Sequence, residues 1–228
     1  SIFLALGGGV VGDLTGFLAA TFMRGVEYIQ IPTTLLAMVD SSIGGKTGIN
    51  LSQGKNLMGS FWQPKAVVLD PLLLNTLPKR EFTSAMGEII KYGAILDRKL
   101  FAKIADNLDR LLNSNENSLI LDIITNCVEI KSRIVVEDEI ELSKRKILNF
   151  GHTIGHSLET YLGFDCIRHG EAVSYGMIFA SMLSVEFAGL SREDSSFFND
   201  TVLRLPLPDL PKLNNNKILS ILSNDKKN

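Results

Sequence analysis

The sequence predicts an α/β segment followed by an all-α segment, with the change near residue 79. Short apolar runs that lead directly into turn residues, at 1–6 and 66–70, are typical of interior strands of a parallel sheet. Beyond residue 79 such runs stop and helix-period patterns take over. The chain has 228 residues, of which 45% are hydrophobic, enough for one large or two modest domains. We therefore expect an α/β domain over residues 1–79 and an α-helical domain over residues 80–228.

Composition and charge argue against several classes of protein. The 23 basic and 25 acidic residues give a net charge of −2, so the sequence carries no broad basic footprint for nucleic acid. The most apolar long segment, 172–189, is interrupted by serines and Glu186, which favours a buried helix over a membrane span. The two cysteines, Cys127 and Cys166, cannot form a disulfide framework. A reducing compartment is expected, either cytoplasm or, in a photosynthetic eukaryote, the plastid stroma.

The first predicted strand runs into the glycine-rich stretch GGGVVGD at residues 7–13, and a helix is predicted over 14–22. Gly7, Gly9 and Gly12 match the pattern G-x-G-x-x-G, and a helix N-terminus after such a turn offers backbone N–H groups to a phosphate. The dinucleotide fingerprint also needs an acid about twenty residues further on, at the end of the second strand. Glu27 has that spacing but precedes the apolar run 28–32. Pyrophosphate binding is the favoured interpretation, and a simple tight turn is the alternative.

Residues 40–50, DSSIGGKTGIN, resemble a phosphate-binding loop without matching it. A P-loop needs a glycine five positions before the glycine of its GK[ST] motif, and Asp40 occupies that position. We expect instead a flexible, hydroxyl-rich loop that holds Asp40 and Lys46 and is followed by Lys55. Lysines in such loops suit phosphate or carboxylate recognition, and the alternative for each is a solvated surface position.

Helix-period patterns predict helices over 80–112, 117–136, 151–162 and 170–189, and over 214–222 after a proline-rich turn. Glu88 and Lys91 lie three residues apart in the first of these, so they share a face among apolar neighbours. A buried acid usually has a cation or a metal ion as its partner.

All three histidines of the chain, His152, His156 and His169, fall in one short stretch. His152 and His156 are four apart and share a helix face, and neighbouring glycines are expected to open space around them. A catalytic zinc needs three N or O ligands and an open position. The candidates are Glu88 with two of the three histidines, and spacing favours His152 with His156. Capping or core histidines are the alternative.

Taken together, six segments give the sequence a resemblance to the 3-dehydroquinate synthase family, part of the sugar-phosphate cyclase superfamily. They occur in the family's order between residue 7 and about residue 177. Relative to a full-length member, we expect the chain to lack the first part of the nucleotide-binding domain and the last helical elements. The segments are GGGVVGDLTGF, RGVEYIQIPTTLLAMVDSSIGGKTGIN, GKNLMGSF, GEIIKYG, LNFGHTIGHSLE and RHGEAVSYGM.

The resemblance implies a partial Rossmann-like NAD-binding domain followed by an α-helical metal- and substrate-binding domain. It implies that Glu88, His152 and His169 bind Zn²⁺ or Co²⁺, and that His156 faces the substrate phosphate, which differs from the pairing favoured by spacing. The residues implied to contact NAD are Gly8, Gly9, Val10, Gly12, Asp13, Thr33, Thr34, Lys46, Lys55 and Thr76.

The resemblance also assigns residues to catalysis and to substrate binding. Arg24 is similar to a residue that family members lend to a neighbouring subunit, which implies a homodimer. Lys226 or Lys227 matches a further substrate-side lysine. The implied catalytic residues are Asp40, Lys91, Lys131, Arg145, Asn149 and His156, and the implied substrate-binding residues are Arg24, Lys46 and Asn56.

The implied reaction converts 3-deoxy-D-arabino-heptulosonate 7-phosphate to 3-dehydroquinate and phosphate, a lyase step of the shikimate pathway of aromatic amino acid biosynthesis. It proceeds by transient oxidation by NAD, β-elimination of phosphate, reduction and intramolecular aldol closure. A sister cyclase with another substrate, a metal-dependent polyol dehydrogenase and an inactive fragment of the synthase are the alternatives. Four residues, Asn56, Arg145, Asn149 and His156, favour the dehydroquinate-forming branch.

Overall fold

The computed structural model of the protein describes residues 1–51, 54–113, 117–163 and 166–225. The chain divides into two compact units that interleave along the sequence. The first unit contains Ser1–Phe82 and Asp109–Arg145, and the second contains Thr83–Leu108 and Lys146–Asn228. The domain boundary expected at residue 79 stays a prediction.

The first unit contains a three-stranded parallel sheet, as the sequence predicts. Its strands are β1 (Ile2–Gly7), β2 (Glu27–Pro32) and β5 (Ala66–Val67), in the order β1-β2-β5. Helix α1 (Gly9–Thr21) connects β1 to β2, since parallel neighbours need a crossover. The last strand is shorter than the predicted run 66–70, and a short 3-10 helix, Pro71–Thr76, follows Asp70.

The prediction of a flexible loop over residues 40–50 is wrong. Residues Ala37–Ser41 form a single π-helical turn, and β3 (Lys46–Leu51) pairs antiparallel with β4 (Gly54–Phe61). Thr47 secures the hairpin by donating its hydroxyl to Ser60 O at 3.0 Å. A Cβ on Gly48, one of the glycines that suggest a loop, would lie 2.9 Å from Met58 O, and one on Gly59 would collide with Thr47 O, so both glycines allow the close approach of the two strands.

Helix α4 (Asn117–Glu137) completes the first unit and confirms the helix predicted over 117–136. Apolar residues three or four apart, from Ile120 through Ile124 and Cys127 to Ile134, form its buried stripe. Towards the C-terminal end of the helix, the buried stripe also includes the charged residue Lys131.

One helix predicted over 80–112 is in fact two, α2 (Lys79–Leu96) and α3 (Arg98–Asn113). The break falls at Asp97, whose Oδ1 accepts hydrogen bonds from Lys99 N at 2.9 Å and Leu100 N at 3.0 Å. This is an N-cap, so a new helix begins although the hydrophobic period continues. In α2 every residue from Thr83 to Gly93 is buried.

The remaining helices of the second unit are α5 (His152–Leu162), α6 (His169–Phe187), α7 (Arg192–Leu203) and α8 (Asn215–Asp225). Helices α5, α6 and α8 confirm the predictions, whereas α7 was not predicted. Its sequence is mostly polar, so the apolar residues that it buries, Phe198 and Val202, give only a weak helical pattern. Ser191 caps its N-terminus. Within the described ranges, we find no helix with both the length and the apolarity needed to cross a bilayer.

Candidate metal centre and anion pocket

Two glycines allow α2 and α6 to pack closely in the second unit. A Cβ on Gly87 would lie 2.5 Å from Gly170 O, and one on Gly170 would collide with the backbone of Ser84. Ser84 Oγ accepts a hydrogen bond from Gly170 N at 3.1 Å. Each glycine is next to a candidate ligand, so the close approach brings Glu88 of α2 near His169 at the start of α6.

The glycines around His152 do not open space, so that expectation is wrong. Gly151 has a φ of +80° and caps α5, and a side chain there would contact Met177 and Val173 O. A Cβ on Gly155 would lie 3.1 Å from Val173 Cα. These glycines let α5 pack tightly against α6, which fixes the position of His152.

The ligand atoms of Glu88, His152 and His169 lie within 4.8 Å of one another, and we call these three residues the ligand cluster. Glu88 Oε1 is 3.5 Å from His152 Nε2 and 3.4 Å from His169 Nε2. A tetrahedral ion with bonds of about 2.0–2.1 Å needs ligand atoms about 3.3–3.4 Å apart, so the donor set fits such an ion. His156 belongs to a second group with Glu159 and His169, and among the described residues it does not share a group with His152.

The other ring nitrogen of each ligand histidine faces an acceptor. His152 Nδ1 lies 3.2 Å from Phe150 O, and His169 Nδ1 lies 3.4 Å from Glu159 Oε2. A carbonyl oxygen can only accept, so a proton on Nδ1 of His152 would be bound by Phe150 O and would leave the lone pair of Nε2 for a metal ion beside Glu88. Such outer partners orient the imidazoles of metal sites.

The two histidines have opposite pKa shifts. Burial lowers the pKa of His152 to about 4, although the Glu88 carboxylate opposes the change. Burial also disfavours the charged form of His169, but hydrogen bonds to Glu159 and Glu88 outweigh it and raise its pKa to about 10. These carboxylates favour the imidazolium form of His169, and a metal ion bound at its Nε2 would displace a proton.

Lys91 and Glu88 form the buried ion pair that their spacing suggests. Their side chains are 2% and 0% exposed, and the Lys91 ammonium contacts Glu88 Oε2. Glu88 Oε1 faces the two imidazoles. The Glu88 carboxylate therefore contacts the Lys91 ammonium through one oxygen and faces the proposed metal position through the other. His156 and Asn149, also in the second unit, are exposed.

In the first unit, a cavity of about 570 Å³ collects several of the residues singled out in the sequence, and we call it the anion pocket. Three cations and two acids line it, with the β3–β4 hairpin forming one wall. Its lining residues are Asp13, Asp40, Ser41, Ile43, Lys46, Thr47, Asn56, Gly59, Ser60, Phe61, Lys131 and Arg145.

The π-helical turn brings Asp40 to Lys131 of α4. Lys131 Nζ donates to Asp40 Oδ1 and to Asp40 O, both at 2.6 Å. One ammonium thus binds the side chain and the backbone of a single residue. π-helical turns are frequent at functional sites.

Arg145 is held rigidly, and the sequence reasoning missed the residue responsible. Asp138 accepts hydrogen bonds from Leu142 N at 2.9 Å, Ser143 N at 2.8 Å and Arg145 N at 2.9 Å. These backbone bonds lower the pKa of Asp138, with that from Arg145 contributing most. Arg145 NH1 donates to Gly44 O and Glu139 O. A buried acid seven residues before an arginine carries no spacing signal, so only the fold could reveal this role.

The charged groups of the anion pocket shift one another's pKa values, although Lys46 also contacts Glu141 and Lys131 pairs with Asp40. Burial, followed by the nearby Asp40, raises the pKa of Asp13 to about 6. Burial, followed by the positive charges of Arg145 and Lys131, lowers the pKa of Lys46 to about 8. A bound anion would relieve the repulsion among these cations.

The glycine turn is closed against its neighbours. A Cβ on Gly9 would lie 2.9 Å from Ser41 Oγ, and one on Gly12 would lie 2.6 Å from Gln30 Oε1. A side chain at either position would require Ser41 or Gln30 to shift, so these glycines allow the N-terminus of α1 to lie close to β2 and to the π-helical turn. A turn of this kind fits the pyrophosphate of a dinucleotide.

The other residues expected at NAD fall at different places in the first unit. Thr33 and Thr34 follow β2, and Thr33 N donates to Gly7 O at 2.9 Å, so both lie beside the glycine turn. Val10 and Thr76 are exposed, and the Thr76 hydroxyl donates within its own turn. Arg24 is exposed in a left-handed turn with a φ of +68°. The side chain of Lys55 and residues 226 and 227 lie outside the described part of the chain.

The fold and the two sites define a class, an α/β nucleotide-binding type of fold joined to a helical unit with a metal-type donor set. Family models agree with this class and specify it. The model for the 3-dehydroquinate synthase N-terminal domain matches residues 1–84, and that for the C-terminal domain matches residues 85–228. The chain belongs to the 3-dehydroquinate synthase family.

Curated relatives and solved structures agree with this membership. A 3-dehydroquinate synthase of Prochlorococcus marinus (strain AS9601) is 49% identical over 230 residues, which cover 100% of this chain and 63% of the relative. The chain therefore spans about 63% of the length of the curated relatives it matches.

Two solved cyclases superimpose closely. The 2-epi-5-epi-valiolone synthase from Streptomyces hygroscopicus subsp. jinggangensis 5008, with NAD⁺ and Zn²⁺ bound, is 28% identical with a TM-score of 0.87, covering 97% of this chain and 62% of that one. A 2-deoxy-scyllo-inosose synthase complexed with carbaglucose-6-phosphate, NAD⁺ and Co²⁺ is 32% identical with a TM-score of 0.86, covering 96% of this chain and 60% of that one.

Proposed function

We propose that the protein containing this chain is a 3-dehydroquinate synthase that converts 3-deoxy-D-arabino-heptulosonate 7-phosphate to 3-dehydroquinate and phosphate. The observation that carries the proposal is the family match over the whole chain, which includes the ligand cluster. The proposed activity makes the protein a carbon–oxygen lyase that depends on NAD and a divalent metal.

The ligand cluster would hold Zn²⁺ or Co²⁺, and the glycine turn would hold the pyrophosphate of NAD. The Glu88 oxygen and two Nε2 atoms at 3.4–3.5 Å support the first assignment. The closely packed turn at Gly9 and Gly12 supports the second, with Gly8, Val10, Asp13, Thr33, Thr34, Lys46, Lys55 and Thr76 as its further proposed contacts. When bound, the cation supplies Lewis-acid polarisation of a coordinated oxygen and NAD supplies a reversible hydride acceptor.

The chain's own residues would bind and orient the substrate. Arg145 presents a planar guanidinium suited to a carboxylate, and Asp138 fixes its backbone. Lys131 would neutralise a second part of the same carboxylate. Lys46, Asn56 and His156 would bind the phosphate, and Asp40, Lys91 and Asn149 would complete the catalytic set. Their main contribution is orientation and charge stabilisation.

The test measures phosphate release from the heptulosonate phosphate by the protein that contains this chain, together with its metal content. We expect activity that a chelator abolishes and that Zn²⁺ or Co²⁺ restores, and we expect Glu88→Gln to remove both metal and activity. Phosphate release that survives chelation and Glu88→Gln would exclude the metal assignment. For the 228-residue chain alone we expect weak or no turnover.

A second candidate is a sister sugar-phosphate cyclase with a different substrate. The 28% and 32% identity to cyclases of other names supports it. Offering the heptulosonate phosphate and glucose 6-phosphate in parallel distinguishes the two, because only the first carries a carboxylate for Arg145. A polyol dehydrogenase would accumulate NADH, whereas a cyclase that recycles its cofactor would not.

We also propose a homodimer in which Arg24 is lent to the neighbouring subunit. Its exposure supports this assignment. Light scattering gives the mass, and an Arg24→Ala variant mixed with a metal-site variant such as Glu88→Gln tests the sharing. A location in the cytoplasm, or in the plastid stroma, is supported by the cysteine content, since two residues, Cys127 and Cys166, cannot form a disulfide framework.

A further inference from the structure

Four of the twelve phenylalanines of the chain form a connected group in the second unit. Phe101 stacks on Phe198 with ring centroids 5.9 Å apart and meets Phe197 edge-on at 5.5 Å. Phe150 meets Phe198 edge-on at 6.2 Å. Phe198 and Phe101 are buried, whereas Phe197 is 51% exposed, so part of the aromatic surface faces outward.

These rings line a cavity of about 620 Å³, which we call the phenylalanine pocket. Small residues from three helices, among them Ala94, Ala102 and Ala188, form much of the remaining wall. A volume of this size suits a small organic ligand. Open space lies over Gly189, since a Cβ there would contact nothing within 4 Å.

Two opposite charges stand in the lining of this apolar cavity. Arg98, at the start of α3, and Asp194, in the first turn of α7, approach to 3.9 Å with side chains that are 94% and 55% exposed. Ser191 Oγ donates to Asp194 Oδ2 at 2.8 Å, so one carboxylate oxygen is held while Oδ1 faces Arg98. The ion pair is long and solvated, so little free energy is lost when a ligand separates it.

We propose that the phenylalanine pocket binds a small zwitterion with an aromatic ring, of the class of aromatic α-amino acids. The ring packs against the phenylalanine faces and edges. The ligand carboxylate pairs with the Arg98 guanidinium, and the ligand ammonium pairs with Asp194. A neutral apolar ligand would use the rings alone and leave both charges unused. This inference does not rest on the proposed function, since Phe150, whose backbone carbonyl faces His152, is the only lining residue that has been given a role near the ligand cluster.

The first test is titration calorimetry of the chain with L-phenylalanine, 3-phenylpropionate and phenethylamine. The second compound lacks the ammonium and the third lacks the carboxylate. We expect L-phenylalanine to bind about threefold more tightly than either analogue, because each analogue loses one exposed ion pair. Equal affinity of all three compounds would reduce the pocket to a non-specific apolar surface and overturn the proposal.

Variants at the rim and in the wall provide the second test. Arg98→Gln is expected to weaken L-phenylalanine binding about threefold and leave phenethylamine unchanged, whereas Asp194→Asn weakens both but spares 3-phenylpropionate. Ala102→Trp fills the cavity and should abolish binding of every compound. Arg192→Gln and Lys103→Trp, neighbours on α7 and α3 that do not line the pocket, are the matched controls.

Thermal melting confirms that each variant folds. Binding that persists in Ala102→Trp, or that falls equally in the control variants, would place the ligand elsewhere and overturn the proposal. The proposal is also overturned if L-phenylalanine shows no binding at a concentration about tenfold above that expected to saturate a site with a millimolar dissociation constant. Disruption of the homodimer by Ala102→Trp but not by Lys103→Trp would assign the rings to an interface between copies of the chain and also overturn the proposal.

Discussion

The ligand cluster of the second unit is buried and its ligand atoms lie close together, whereas the anion pocket of the first unit is open and is lined by longer side chains. In the cluster, Glu88 is fully buried and two imidazoles meet one of its oxygens at 3.4–3.5 Å. In the anion pocket, Lys46 is 53% exposed and its charge is influenced by Arg145 and Lys131. The cluster depends on the fixed positions of its ligand atoms, whereas the anion pocket depends on the combined charge of its side chains.

This difference shows how the protein handles two kinds of ligand. A small divalent cation demands defined bond lengths, so its donors sit on helices packed through Gly87 and Gly170. A phosphate or carboxylate tolerates variation in distance, so its cations can come from separate elements, Lys46 from β3, Lys131 from α4 and Arg145 from a short 3-10 helix. Variants in the cluster should therefore have large effects, and variants in the pocket graded ones.

The largest expected effect comes from Glu88→Gln, which leaves the Lys91 ammonium buried without its carboxylate. Breaking a buried ion pair in this way costs about 3–5 kcal/mol in the free energy of unfolding. Urea denaturation measures the change. The double variant Glu88→Gln with Lys91→Met should recover most of the loss. A single variant as stable as the parent would mean that the enclosed site does not depend on its charges.

The next largest effect is on metal affinity, through an outer partner. Glu159→Gln removes the carboxylate that faces His169 Nδ1 and should weaken Zn²⁺ binding about 10–100-fold. Competition against a chromophoric chelator gives the affinity. Glu186→Gln, on the same helix as His169, is the control. If both variants bind Zn²⁺ equally well, the outer partner has no role in orienting the imidazole.

In the anion pocket we expect a dependence on pH. The pKa of Lys46 is about 8 because burial and neighbouring cations disfavour its charge. A bound anion raises that pKa, so affinity is constant between pH 7, where Asp13 is already ionised, and pH 8, and it then falls by up to about tenfold per pH unit until the raised pKa is reached. Sulfate, whose charge is constant over this range, is the probe for calorimetry. Lys46→Arg should abolish the decline, and a decline that survives in this variant would implicate another group.

The smallest effect is expected from Asp138→Asn, which weakens the bonds that hold the backbone of Arg145. Sulfate affinity should fall about fivefold, the scale of one hydrogen bond, with no change in Zn²⁺ affinity. Glu137→Gln, its neighbour, pairs only with the exposed Lys144 among the contacts described and should change sulfate affinity less than twofold. Equal losses in the two variants would argue against a specific positioning role.

Local patterns in the sequence were sufficient for many elements. The glycine turn, strands β1 and β2 and helices α4, α5 and α6 follow from apolar periodicity and turn residues. The same local patterns gave wrong predictions where a polar or glycine-rich stretch is needed for tertiary packing. The β3–β4 hairpin needs Gly59 for close strand approach, and Asp97 interrupts a continuous hydrophobic period by capping α3.

The sequence by itself determined the family, through six ordered motifs, and the supply of ligands, since all three histidines and Glu88 stand in helical segments. It could not determine, from spacing, which histidines meet. Residues four apart share a helix face, but a metal needs atoms that converge on one point. Convergence depends on how α2, α5 and α6 cross, which tertiary packing decides. The same packing selected His169 over His156 as the partner of His152 and Glu88.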